Sequence, residues 1–87
     1  MNYQKLDTAL TMALNEVQEP EERRLIVFIH THSVPDATAT AFLESLGVSV
    51  TTGKDVFAAT LSPHAISQLS EQPWVKYLRL SQQLRPL

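Results

Sequence analysis

The period of apolar and polar positions changes several times along this chain, and each change marks an element. Leu25, Ile26, Val27, Phe28 and Ile29 form an uninterrupted apolar run that predicts a strand. Ser33, Val34, Pro35 and Asp36 then open a helix carrying Ala41, Phe42 and Leu46, and Gly47 stands where a left-handed C-cap is expected. Val48, Ser49, Val50 and Thr51 read as a second strand. Residues 52–55 form a hairpin turn into a third, Val56–Leu61. Ser62 followed by Pro63 is an N-cap with proline at the first helical position. Ala65, Ile66 and Leu69 recur at helical spacing until Pro73 stops the helix, and residues 75–80 resume strand character.

The predicted order from Leu25 is therefore βαββαβ, with a split β-α-β crossover in its second half. The most economical arrangement for this order is a ferredoxin-like α+β fold, a four-stranded antiparallel sheet with both helices on one face. Residues 25–80 would form that unit, and residues 81–87 a loose C-terminal tail.

A further amphipathic helix precedes it. Tyr3, Leu6, Ala9, Leu10, Ala13, Leu14 and Val17 fall on one helical stripe within residues 1–19, and residues 20–24 form a polar linker opened by Pro20. That stripe needs a partner surface. The apolar run 25–29 implies that the second face of the first strand is covered too. Three candidates fit: the N-terminal helix folding back as a lid, a second copy of the chain in a homodimer, or a bound partner protein. Leu6, Leu10, Ala13, Leu14 and Val17 are the expected lid or oligomer contacts.

Composition narrows the function classes. The chain has 87 residues, 44% of them hydrophobic, which suits one small core. Its formal charge of −2 supplies no basic field for nucleic acid or an anionic membrane, so neither is an expected partner. The start lacks the continuous apolar run of a secretory signal, and a cytoplasmic location is expected. Without cysteine there is no thiol nucleophile and no cysteine-ligated zinc.

Catalytic chemistry finds little footing. Glycine occurs only at 47 and 53, so no phosphate-cradling loop exists and no serine has a nucleophile-elbow context. His30 and His32 point to one side of a strand, but spacing brings no third ligand beside them, and only the fold could bring up Asp36 or Asp55. They read as strand-end histidines. No enzyme activity, metal or cofactor is expected. Trp74, at the start of the last strand, is either a contact residue or the edge of the core.

The stretch from Arg24 to Leu80 resembles the subtilisin propeptides and their free-standing relatives, the proteinase inhibitor I9 group. The resemblance is carried by the apolar run 25–29, by Leu46, Gly47 and Val48, by Phe57, Ala59, Leu61 and Ser62, and by the spacing of Ile66, Leu69, Pro73 and Val75. It implies a protein-binding module acting in trans as an inhibitor or folding helper of a subtilisin-like serine protease. In such a module the tail lies in the substrate cleft, which maps to Leu84, Arg85, Pro86 and Leu87, with Leu87 in the primary pocket. The N-terminal helix is an addition to the family pattern. The alternative is a homo-oligomeric scaffold that uses the sheet face and that helix, with no protease partner.

Overall fold

The computed structural model describes residues 1–84. Its regular elements are β1 (Leu25–Thr31), β2 (Val56–Leu61) and β3 (Val75–Gln83), with helices α1 (Thr8–Glu16), α2 (Ala37–Ser45) and α3 (Pro63–Ser70). One antiparallel sheet has the strand order β2-β1-β3. Both neighbours run opposite to β1, so β2 and β3 are parallel, and α3 carries the chain across β1 between them. The expected split crossover is present.

The expected fourth strand is not. Residues 48–51 form no ladder, and the sheet is three-stranded. The reason lies in the end of α2. Gly47 adopts φ +88°, its N–H donates to the Glu44 carbonyl at 3.0 Å, and the Val48 N–H donates to the Leu43 carbonyl at 3.0 Å. This is a Schellman cap, with Val48 and Leu43 both buried beneath it. The Thr51 carbonyl is taken by the turn to Lys54 N–H. Only Ser49 and Val50 are left between cap and turn, too few for a strand.

Alternation along β1 sorts its residues onto two faces. Leu25, Val27, Ile29 and Thr31 are buried, whereas Ile26, Phe28 and His30 are half-buried. The buried set joins Phe57 and Leu61 of β2 and Val75 and Leu78 of β3 in a core closed by Leu43, Ala65, Ile66 and Leu69. Burying a leucine or isoleucine contributes about 1.5–3 kcal/mol, so these positions dominate the stability of so short a chain. α2 turns Ala39 and Leu43 inward; Ala41 is exposed, and Phe42 and Leu46 are half-buried at its flanks. Trp74 packs edge-on against Phe42, with ring centroids 5.8 Å apart.

The N-terminal stripe does not form one helix. Tyr3–Lys5 make a single 3-10 turn, Leu6 is extended beside Leu78, and α1 starts only at Thr8. Asp7 causes the break. Its backbone N–H donates to the Leu78 carbonyl at 3.1 Å, while Oδ1 accepts from Leu10 N–H at 2.8 Å and from Leu80 N–H at 3.3 Å. One carboxylate thus caps α1 and occupies the outer edge of β3. Upstream, the terminal ammonium pairs with Glu71 at 3.0 Å and Asn2 N–H donates to Ser70 Oγ at 3.0 Å, fastening the chain start to the end of α3.

Candidate contact surface

Two surfaces were expected to carry function, and they meet different fates. Leu10 and Ala13 are buried in the same core as Leu25, Val27, Ile29 and Leu78, and Leu6, Leu14 and Val17 pack partly buried against it. α1 therefore spends its stripe on the helix side of the sheet. It does not lie over the second face of β1. What it leaves outward is Met12, 64% exposed.

The tail is shorter than expected. β3 continues through Ser81, Gln82 and Gln83, with Gln82 opposite Ile26 and Gln83 opposite Leu25. Leu84 then donates its N–H to the Arg24 carbonyl at 2.7 Å while its side chain is exposed. Of the four residues expected to enter a protease cleft, Arg85, Pro86 and Leu87 lie outside the described residues.

The second face of the sheet is covered by no helix among the described residues. Strand register builds an array on it, because directly paired residues project to the same side. Val56, His30 and Tyr77 form one row, Ala58, Phe28 and Arg79 the next, and Thr60, Ile26 and Gln82 the third. The outer columns are mostly exposed and the central one half-buried. The expectation that the N-terminal helix folds back over the second face of β1 is corrected: α1 packs on the opposite face, and within the chain the second face is shielded by side chains of the flanking strands.

Two ring contacts order the array. His30 and Tyr77 stack with centroids 4.2 Å apart and planes 5° from parallel. The Arg79 guanidinium carbon sits 4.5 Å from the Phe28 ring centroid, a cation-π contact. His30 Nε2 is buried and has no hydrogen-bond partner among the described residues. Burial, and then the nearby charges of Arg79 and Lys76, lower the His30 pKa below 6.5, opposed only by Asp55.

Lys76 reaches this surface through a bulge. Val75 is opposite Thr31 and Tyr77 opposite His30, so Lys76 is the unpaired extra residue. A second irregularity, between Ile26 and Val27, leaves Ser81 unpaired. Without the first bulge, strict alternation from buried Val75 would turn Tyr77 and Arg79 into the core. Sequence reasoning accordingly missed Phe28, Lys76, Tyr77 and Arg79 as contact residues. The available signal was the period-2 set Ile26, Phe28 and His30, whose last member is an unusual tenant for a covered face.

The remaining histidines stand apart from this array. His32 is exposed beyond the end of β1, and its backbone N–H donates to the Trp74 carbonyl at 3.1 Å. His64 Nδ1 lies 2.5 Å from Glu21 Oε1. Among the described residues no group of three or more His, Asp or Glu is placed to hold a metal ion, and no helix is long and apolar enough to cross a membrane. Trp74 with Thr31, Val34, Pro35 and Ala39 lines a cavity of about 100 Å³, large enough for little more than a side chain. In comparisons with known proteins, no family model, curated protein or solved structure matches this chain.

Proposed function

We propose that the chain is a protein-contact module similar in arrangement to the subtilisin propeptides, acting in trans as an inhibitor or folding helper of a subtilisin-like serine protease. The observation that carries the reading is the two-sidedness of the sheet. Three helices bury one face, and the other presents an ordered but uncovered array beside a C-terminal strand. A bound protein is the simplest cover for a face bearing exposed Val56 and half-buried Ile26, Phe28 and Tyr77, since apolar groups gathered on one surface favour association. The ferredoxin-like relation belongs to the same reading, as that arrangement without its expected edge strand at residues 48–51. In the docked complex, the sheet face rests on the protease and Leu84, Arg85, Pro86 and Leu87 enter its cleft by strand addition.

The competing reading is a homo-oligomeric scaffold that uses the sheet face and the N-terminal helix. It is weakened by the burial of Leu10 and Ala13 within their own core. The inhibition constant of the intact chain against a subtilisin, beside a variant lacking residues 84–87 and with light scattering on both, separates the two. Tight inhibition lost with the tail is expected. No inhibition together with a stable dimer would replace the protease reading with the scaffold.

A further inference from the structure

We infer that the open sheet face recognises a protein surface carrying carboxylates beside apolar side chains, with Arg79 as the anchor and Lys76 as its companion. The inference deepens the reading of this face as a contact surface and rests on it, but it does not depend on the partner being a protease.

Charge gives the first argument. The three rows of the array contain no Asp or Glu; Asp55 stands one residue before β2, and the Asp7 carboxylate at the outer edge of β3 is engaged by the Leu10 and Leu80 N–H groups. The described ion pairs join Met1 to Glu71 and Arg24 to Glu22, and the Glu21 carboxylate lies against the His64 ring. Among the described residues Arg79 and Lys76 have no carboxylate partner. The depressed His30 pKa reports the same local field, because both cations act on that ring. A chain with net charge −2 thus keeps a positive patch where its sheet is uncovered.

Geometry gives the second. Lying against the Phe28 ring, the guanidinium of Arg79 has lost much of its rotamer freedom before any partner arrives. Its planar fork keeps donors for a bidentate carboxylate, and Ile26, Phe28 and Val56 offer apolar contact around it. Arginine beside aromatic residues is the composition of a binding hot spot, and Arg79 holds the middle row of the array.

The same contacts weigh against other occupants. Bases of single-stranded nucleic acid need free aromatic faces. Here the His30 and Tyr77 rings cover one another, and Phe28 lies under Arg79. A second copy docked face to face would set two arrays without Asp or Glu against each other and leave Arg79 and Lys76 with no carboxylate to meet.

The test is a nuclear magnetic resonance titration of the full chain with three probes. They are a short peptide alternating Glu with Leu and Tyr, the same peptide with every Glu replaced by Gln, and a short oligo-deoxythymidine. The acidic peptide is expected to shift Phe28, His30, Tyr77 and Arg79 and the Gln peptide to leave them unmoved, with binding weakening as salt rises. Arg79→Gln is expected to weaken the acidic peptide roughly tenfold, and Arg79→Lys less. Both side chains are exposed, so the fold should persist, which a thermal melt verifies; Lys76→Gln offers a second variant of smaller effect. Equal binding of the Gln peptide, shifts confined to other surfaces, preference for the oligonucleotide, or no shift with any probe would each overturn the inference. Protease inhibition is read separately, so either idea can fail while the other stands.

Discussion

Asp7 is the residue through which the N-terminal segment is joined to the sheet, and replacing it with Ala gives the sharpest test of the fold described here. Two hydrogen bonds disappear together. The cap to Leu10 N–H at 2.8 Å is a well-formed N-cap, whose loss typically costs about 1 kcal/mol. The bond from Leu80 N–H at 3.3 Å is longer and half-buried, and losing it adds about 0.5–1 kcal/mol. The backbone bond from Asp7 N–H to the Leu78 carbonyl survives the substitution. A total near 1.5–2 kcal/mol corresponds to a fall in Tm of roughly 6–16 °C for a chain of this size. Asp7→Asn keeps Oδ1 as acceptor and loses only the charge at the helix N-terminus, a cost of about 0.3–1 kcal/mol. Urea denaturation of the three proteins, read by circular dichroism, decides the matter. If Asp7→Ala matched the parent, or if Asn were as damaging as Ala, the double role of Oδ1 would be refuted.

Three other outcomes follow from contacts elsewhere in the fold. The His30 pKa is lowered in the folded state, so the unfolded chain binds a proton more readily. The stability contributed by neutral His30 is complete above pH 6.5 and is lost as pH falls from 6.5 toward the folded pKa. Arg79→Gln removes one of the charges lowering it, so the His30 titration followed by nuclear magnetic resonance should move upward, toward 6.5; an unchanged midpoint would contradict the placement of Arg79. Thr31 is 4% exposed, and its hydroxyl is close to the Ser33 carbonyl at 2.6 Å and the Asp55 carbonyl at 3.1 Å. Thr31→Val should cost about 1–2 kcal/mol in denaturant melts, since it leaves a buried bond unmade, and a neutral result would show that the hydroxyl is dispensable.

Much of the fold was legible because its signals are local. Asp36 and Ser62 cap α2 and α3 by accepting from Ala39 N–H and Ala65 N–H, and Pro63 sits in the first turn. Gly47 takes the left-handed C-cap expected of it. Each of these acts on its own residue and the next few, so the letters alone suffice. The second strand was misread because Val48 and Val50 carry β character, while the hydrogen bonds that decide the matter belong to the helix cap behind and the turn ahead. The N-terminal stripe was misread as one helix for a similar reason. Leu6 keeps the helical spacing, but the edge of β3, more than seventy positions away, claims it as a strand neighbour.

The chain by itself determined the starts of α2 and α3, the cores of strands β1, β2 and β3, and that Leu25, Val27, Ile29, Leu61, Ile66, Leu69 and Val75 belong to apolar segments. Only tertiary structure decided which way those segments face. A single unpaired residue, Lys76, reverses the alternation of β3 after Val75, keeps Leu78 in the core, and turns Tyr77 and Arg79 outward onto His30 and Phe28. A bulge has no sequence period of its own, because it records a mismatch between two strands far apart in the chain. The candidate contact surface depends on that mismatch, so it emerges only when the strands are paired.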